Sequence, residues 1–281
     1  MSGLGENFKP SVSILMLAKN KAPYIKLAAS SVLESPRAEL VLIEPGSRDN
    51  SGYVCSKLKK EYSSKIILVS KNDNSAAEGL NNGLREAKGN LVGVLNADDV
   101  YLPGALEHIL SYFESHPEID VLLTAGFLIN EVTGKWKLML PTKITRNTLG
   151  LSPHGSLTFF HQGMFYRKNR LDDVIFNEEN KINWDKEFLI ELWQKKARIG
   201  YLATPTAIFR LNHQSLTSIG FSSKSIDENQ KYFDNLLNFN ISVLVAPLFG
   251  KCLRLHKAMK LLVHVMRIHL KSFIMNTNER D

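Results

Sequence analysis

Short apolar runs alternate with amphipathic segments along the first third of the chain. The runs predict strands, and the segments, in which apolar residues recur every three or four positions, predict helices. In chain order these elements are strand Val12–Leu17, helix Ala22–Leu33, strand Leu40–Ile43, helix Ser51–Tyr62, strand Lys65–Val69, helix Ala76–Ala87 and strand Leu91–Leu95. Strands separated by helices indicate an α/β protein with a mostly parallel central sheet flanked by helices.

The pattern changes after Asp120. Two strand-like runs around a turn at Glu131–Gly134 predict a β-hairpin. The elements predicted here are strands Val121–Ile129, Lys135–Leu140 and Met164–Arg167, a helix at Asp185–Lys195 and a last strand at Ala203–Arg210.

Two adjacent carboxylates, Asp98 and Asp99, follow the buried run in GNLVGVLNADDVYLP, and Pro103 then opens a helical pattern. Ligands of open α/β sheets bind at the carboxyl ends of the strands, where these side chains are expected. One carboxylate in this position can simply cap the next helix. Two neighbouring carboxylates repel each other unless a cation or hydrogen-bond donors lie between them, so we favour a site that binds a metal and a phosphate.

The basic charge of the chain is concentrated in its last segment. The net charge is +7, yet residues 1–234 hold 28 basic and 26 acidic side chains. Residues 235–278 hold six lysines and arginines and no acid. The basic residues from 251 onwards recur at helical spacing opposite an apolar face, which predicts a helical tail that either contacts an anionic membrane surface through 251–274 or packs on the protein itself.

Composition argues against a disordered chain, a secreted disulfide-bonded protein and a nucleic-acid-binding protein. With 281 residues, of which 44% are hydrophobic, the chain can bury a substantial core. Cys55 and Cys252 have no metal-site or disulfide spacing, and the first ten residues contain no apolar signal segment, so we expect a cytoplasmic protein. The tail's basic residues have few interleaved aromatics, and we therefore expect no nucleic-acid partner.

Several segments together resemble the inverting family 2 glycosyltransferases, especially bacterial enzymes of surface-polysaccharide assembly. They are VSILMLAKNKAPYI, LVLIEPGSRDNSGYV, DNSAAEGLNNGLREAKGNLVGVLNADD, HQGMFYRK and INWDKEFLIEL, and the resemblance extends from about Ser11 to Ser218. It implies a GT-A fold over residues 1–234, with a nucleotide-binding half at 1–119 and an acceptor half at 120–234. Residues 235–281 would form a C-terminal helical extension.

The resemblance also implies a nucleotide-diphosphate sugar donor and a divalent metal, Mg²⁺ or Mn²⁺. It places Asp98 as the direct metal ligand with Asp99 beside it, so both carboxylates are expected at the metal site. Asn96 stands where the family has the first Asp of its motif, and Pro45 where many members have the Asp that reads uracil. The residues expected to bind the donor are Lys21, Glu44, Asn96, Asp98 and Arg210.

Inversion at the sugar carbon takes one displacement, in which a base removes the proton of the acceptor hydroxyl. The resemblance assigns this role to Asp185, with Glu187 as the alternative base. If Asp185 has no catalytic role, it is a carboxylate at the N-terminus of a helix, where the helix dipole favours negative charge. The residues expected on the acceptor side are His161, Gln162, Trp184 and His213.

The sequence thus predicts transfer of a sugar to a saccharide or lipid-linked hydroxyl acceptor, with peripheral contact to the cytoplasmic face of the inner membrane. Two alternatives remain at this point. A GT-A-like nucleotidyltransferase would not need Asp185. A catalytically weakened membrane-surface or assembly protein would explain Asn96 and Pro45.

Overall fold

A computed structural model describes residues 9–150, 152, 157–171, 173–181, 183–211, 232, 236 and 237. The chain divides into two compact units, one formed by Met1–Pro141 and Phe159–Ser218 and the other by Thr142–Thr158 and Ile219–Asp281. His213 and the predicted helix at 251–274 lie outside the described residues. The predicted division of the chain at residue 234 therefore stays a prediction.

The first unit contains a nine-stranded mixed sheet among its described residues. Its strands are β1 (Val12–Leu17), β2 (Ala38–Ile43), β3 (Ile66–Val69), β4 (Leu91–Asn96), β5 (Val100–Tyr101), β6 (Val121–Asn130), β7 (Trp136–Met139), β8 (Met164–Arg167) and β9 (Ile199–Leu211). Their spatial order is β3, β2, β1, β4, β8, β6, β9, β5, and β7 pairs with β6 to form the predicted hairpin. Every residue of β2 is buried, as expected of a strand covered on both faces.

The described helices are α1 (Ile25–Leu33), α2 (Ser51–Glu61), α3 (Ala76–Glu86), α4 (Ala105–Ser115), α5 (Arg146–Gly150) and α6 (Trp184–Gln194). Of these, α5 belongs to the second unit. Helices α1 to α3 follow the parallel strands, and their apolar stripes face the sheet: α1, for example, buries Ile25, Ala28, Ala29 and Val32. No helix in the described part of the chain is long and apolar enough to cross a membrane.

The register of the central strands brings their following loops to one edge of the sheet. In the parallel pairs of β1 with β2 and β4, Leu17 lies opposite both Ile43 and Asn96. Strand β8 is antiparallel to β4 and β6, so the chain enters β8 at the edge where its neighbours end. The residues just before β8 consequently join the loops after β1, β2 and β4.

The alternation of strands and helices predicted from the sequence is confirmed, with local differences. Helix α1 begins at Ile25 rather than Ala22, because the preceding main chain bonds to Asp49 and Ser51. Strand β5 was not predicted, since two residues are too few to carry a periodic pattern. The capping interpretation of Asp98 and Asp99 is wrong, because α4 begins after Gly104, which has a φ of 71°.

Candidate functional site

Asp98 lies directly after β4 and pairs with a lysine from the loop after β1. The ammonium of Lys21 is 2.5 Å from Oδ2 of Asp98. The side chains are 22% and 8% exposed, so the pair is shielded from most of the solvent. An ion pair in this setting is screened less than a surface pair, and Asp98 is therefore held in contact with positive charge.

Asp99 has a different environment from its neighbour, because it is completely buried. Its Oδ1 accepts a hydrogen bond from the main-chain N–H of Arg210 at 2.8 Å, and its Oδ2 accepts one from the amide of Gln162. Burial raises the pKa of Asp99 to about 7, the charge of Asp98 adds to the rise, and the Arg210 hydrogen bond opposes it. Both of its oxygens are engaged with protein donors, which leaves Asp98 as the more accessible carboxylate of the two.

His161 and Asp185 face each other beside these carboxylates. His161 and Gln162 form the 3-10 turn that leads into β8, and Asp185 lies in the first turn of α6. Nδ1 of His161 is 3.8 Å from Oδ2 of Asp185, too long for a hydrogen bond but close enough for electrostatic attraction. Burial would raise the pKa of Asp185, but the interaction with His161 outweighs it and holds this pKa below its usual value.

Aromatic packing fixes the start of α6. The Trp184 ring lies 5.0 Å from that of His161 and 5.5 Å from that of Phe176, and Phe176 stacks on Phe188 at 4.2 Å. The side-chain amide of Asn81 in α3 donates a hydrogen bond to the main-chain oxygen of Phe176 and accepts one from its main-chain N–H. Trp184 is thus buried in this cluster, and the position of Asp185 is set by core packing.

Nε of Arg210 on the donor side has no hydrogen-bond partner among the described residues, and neither do two buried atoms on the acceptor side, Nε2 of His161 and Oε1 of Gln162. Buried polar atoms without partners are uncommon in folded proteins. The two on the predicted acceptor side are consistent with a polar ligand there.

The other predicted donor-binding residues lie along the same edge of the sheet. The carboxylate of Glu44 accepts the main-chain N–H groups of Ser47 at 2.6 Å and Gly46 at 3.3 Å, and so holds its own loop. Asn96 ends β4 and is half-buried. The Arg210 guanidinium is 3.4 Å from Glu131 and lies over the Tyr24 ring at 6.0 Å. The structure thus brings Lys21 to Asp98, Gln162 and Arg210 to Asp99, and His161 to Asp185 and Trp184. Glu44 and Asn96 lie at the ends of β2 and β4, the two strands that flank β1.

Three residues that the sequence analysis did not assign also shape this edge. Ser51 accepts the N–H of Lys21 at 2.8 Å, and Asp49 accepts the N–H of Ala22 at 3.1 Å, so both fix the loop after β1. Asp73 follows β3, and burial raises its pKa although Lys19 lies 3.7 Å away. Serine and aspartate at a helix start are ordinary capping residues, so sequence alone gave no signal of these longer-range contacts.

The chemistry of these donors fits a weak divalent metal site. A carboxylate oxygen is the ligand type that Mg²⁺ and Mn²⁺ prefer, and Mg²⁺ is commonly held by one or two carboxylates together with substrate phosphates. Asp98 already attracts a cation in the form of Lys21. The described residues contain no group of three or more His, Cys, Asp or Glu able to hold a metal ion. An ion at Asp98 would therefore depend on further ligands from a bound substrate.

Sequence comparison identifies the family. The model of glycosyl transferase family 2 matches residues 13–176, which include both carboxylates after β4, and the chain belongs to this family. GgaB of Bacillus subtilis (strain 168), named a minor teichoic acid biosynthesis protein, is 24% identical over 83% of this chain and 26% of its own length. GgaA of the same organism, with the same description, is 28% identical over 85% of this chain and 55% of its own length. The chain thus spans about a quarter to a half of these relatives.

Structural comparison supports the fold. The crystal structure of S. aureus TarS 1-349 in complex with UDP-GlcNAc matches with a TM-score of 0.62 and 18% identity, covering 81% of this chain and 65% of that one. The mannosyltransferase PcManGT from Pyrobaculum calidifontis, in complex with GDP-Man and Mn²⁺, matches with a TM-score of 0.58 and 14% identity over 94% of this chain and 81% of that one. The predictions of a GT-A fold and of family 2 membership are confirmed.

Proposed function

We propose that the protein transfers a sugar, with inversion, from a nucleotide-diphosphate sugar to a hydroxyl group of a saccharide or lipid-linked acceptor. The observation that carries this proposal is the arrangement of two carboxylates in different surroundings: Asp98 in contact with the Lys21 ammonium, and Asp185 facing the His161 ring at the start of α6. Family membership and the teichoic acid relatives support it. Bacterial cell-surface polysaccharide assembly is the process in which we place it.

Departure of the nucleoside diphosphate is the first chemical requirement, because its negative charge grows as the glycosidic bond breaks. Lys21 lies at the edge of the sheet where nucleotides bind in this class of fold and would place its ammonium toward the diphosphate. Asp98 would hold a divalent ion, Mg²⁺ or Mn²⁺, which when bound supplies Lewis-acid stabilisation of the leaving group. The Mn²⁺ in the PcManGT complex supports this cofactor.

Activation of the acceptor is the second requirement. Asp185 is 22% exposed and its lowered pKa keeps it ionised at neutral pH, so its oxygens can accept the proton of an approaching hydroxyl. Glu187, the alternative base, has its two oxygens bound by the amides of Asn177 at 2.8 Å and Asn180 at 2.7 Å. The geometry therefore favours Asp185, while His161 orients the carboxylate and Trp184 supports it from the core.

The proposal extends to where the protein works. Lipid-linked acceptors lie at the membrane, and the basic tail pattern supports peripheral contact with its cytoplasmic face through 251–274.

The test is a panel of uridine, guanosine and thymidine diphosphate sugars with Mn²⁺, in which release of the nucleoside diphosphate and the anomeric configuration of the product are measured. We expect turnover with one donor, an inverted product, and loss of activity in Asp98→Ala. Asp185→Asn should lower kcat by about 100-fold or more because it removes the base, without weakening nucleotide binding.

Glu187→Gln is the matched control, since it neutralises a carboxylate two residues away whose partners are protein amides. It should retain kcat within about threefold, because an amide can still pair with Asn177 and Asn180. A fall in kcat for Glu187→Gln equal to that for Asp185→Asn would contradict the assignment of the base. Absence of both turnover and nucleotide binding with every donor would contradict the enzyme and favour the catalytically weakened alternative.

A further inference from the structure

Two lysines in the loop after β1 contact carboxylates at the sheet edge, but in different ways. The Lys21 ammonium lies 2.5 Å from Asp98 and is mostly shielded, whereas Lys19 lies 3.7 Å from Asp73 and its side chain is 52% exposed. Asp98 is also the residue at which the metal of the proposed reaction would bind. Lys21 and that metal would therefore compete for the same carboxylate, that of Asp98.

The position of Lys21 is fixed by its main chain as well as by its charge. Its N–H donates to the hydroxyl of Ser51, which is completely buried at the start of α2, and the next N–H donates to Asp49. The main-chain N–H of Ser51 donates in turn to Asp49 at 2.9 Å. The loop is thereby held against α2, and the Lys21 side chain reaches Asp98 from an anchored backbone.

Electrostatics makes the two cations competitors. A divalent ion that approaches Asp98 meets an ammonium already in contact with one oxygen, and like charges at such distances repel strongly where the solvent is largely excluded. Asp99 offers no alternative ligand, because Arg210 and Gln162 bind both of its oxygens. A free ion thus gains little at this edge unless Lys21 leaves.

We propose that Lys21 keeps Asp98 closed to free divalent ions, and that the diphosphate of the donor opens the site by drawing the ammonium to its own negative charge. The ion then binds together with the nucleotide rather than before it. This inference rests on the proposed function for the identity of the nucleotide. Its first test requires only Mn²⁺.

That test measures Mn²⁺ binding to the full chain by electron paramagnetic resonance of the free ion, without nucleotide. Wild type should bind Mn²⁺ weakly, and Lys21→Met should bind it about tenfold or more tightly, because the competing charge is gone. Adding Asp98→Asn to Lys21→Met should abolish the gain. A wild type that binds Mn²⁺ as tightly as Lys21→Met would overturn the proposal.

Lys19→Met and Lys21→Arg are the matched controls. Lys19→Met removes the same charge two residues away and should leave Mn²⁺ affinity unchanged, so a gain equal to that of Lys21→Met would also overturn the proposal. Lys21→Arg keeps a positive charge and should bind Mn²⁺ as weakly as wild type, which separates the loss of charge from a disturbed fold.

A second titration adds UDP or GDP, whichever binds in the donor panel. In wild type this nucleotide should tighten Mn²⁺ binding by about tenfold or more, and in Lys21→Met by less, because the competing ammonium is already absent there. Equal tightening in both proteins would overturn the proposal. Failure of every donor sugar to turn over would instead contradict the proposed function and leave the result with Mn²⁺ alone intact.

Discussion

Asp98 and Asp99 are chemically identical neighbours that the fold places in opposite surroundings. Asp98 faces the sheet edge and contacts the Lys21 ammonium, whereas Asp99 points inward between Gln162 and the main chain of Arg210. Because its pKa is raised to about 7, Asp99 carries a proton in a substantial fraction of molecules near neutral pH. The buried Oε1 of Gln162, which has no partner among the described residues, would accept that proton after rotation of the amide.

This environment predicts a stability that falls as pH rises. An unfolded aspartate has a pKa of about 3.9, and Asp99 in the folded protein has a pKa of about 7. The folded state therefore binds more protons between about pH 4 and pH 7, and its free energy of unfolding decreases over this range. Asp99→Asn removes the effect, so its stability relative to wild type should increase by about 4 kcal/mol from pH 4 to pH 8. The free energy of unfolding of both proteins is measured at each pH by urea denaturation, followed by tryptophan fluorescence.

Asp173→Asn is the control for this experiment. It removes a carboxylate whose side chain is 73% exposed. The hydrogen bond from Lys195 lowers the pKa of this carboxylate, so Asp173 in the folded protein is already ionised over the pH range compared. It should leave the pH dependence unchanged. If the relative stability of Asp99→Asn stays constant from about pH 4 to about pH 8, Asp99 is ionised in the folded protein throughout that range.

The sequence indicates which of these side chains lie at the site but not how they are partnered. The location of Asp98 and Asp99 follows from the apolar run before them, and that of Asp185 from its resemblance to a family motif. The partners Lys21, Gln162 and Arg210 lie in a loop, a 3-10 turn and strand β9, all distant in sequence from the two carboxylates, and their geometry depends on strand order. Periodicity carries no information about such contacts.

At the scale of elements, the orientation of β8 decides the composition of the site. Because β8 runs antiparallel between β4 and β6, the 3-10 turn that precedes it, with His161 and Gln162, lies at the edge where β4 ends. A parallel strand in this place would have put these side chains at the opposite edge. The strand itself was predicted from its apolar run, but its direction and central position are tertiary properties.

Asp120 links the start of β6 to Arg170 and to Arg198, and its lowered pKa predicts that part of the free energy of unfolding is lost in acid. It precedes β6 and accepts hydrogen bonds from Arg170 at 2.7 Å and from the main chain of Arg198, before β9, at 2.9 Å. Burial would raise its pKa, but the Arg198 and Arg170 hydrogen bonds outweigh burial and lower it to about 2. A lowered carboxylate pKa stabilises the fold above the unfolded value of about 3.9, and this stabilisation disappears as pH falls towards 2.

Asp120→Asn should therefore lower the free energy of unfolding by about 2 kcal/mol at neutral pH, and the difference from wild type should shrink below about pH 4. Chemical denaturation over this range measures it. Glu118→Gln, an exposed carboxylate two residues earlier, should have little effect at any pH. A deficit for Asp120→Asn that persists unchanged in acid would mean that packing, rather than charge, is responsible.

At the scale of the whole molecule, charge is distributed unevenly along the chain. Residues 1–234 are nearly neutral, and most of the net charge of +7 comes from residues 235–278. A field concentrated in one segment attracts an anionic surface to that segment, whereas a basic face spread over the protein would suit a polyanion such as nucleic acid. The expectation of membrane contact through 251–274 rests on this distribution.

The last prediction tests that contact in the full chain. Substituting four basic tail residues with glutamine should weaken sedimentation with vesicles containing phosphatidylglycerol by about tenfold or more, because each Lys or Arg near an anionic surface contributes about 1 kcal/mol. The four are Lys251, Arg254, Lys257 and Lys260. Binding by wild type should fall as salt is added and be weak on vesicles of phosphatidylcholine alone.

The matched control makes the same charge change at four exposed lysines of the first unit, Lys57, Lys60, Lys135 and Lys137. Equal loss of binding in both variants would show that total charge, not the tail, governs attachment, and no binding by wild type would favour a tail that packs on the protein itself.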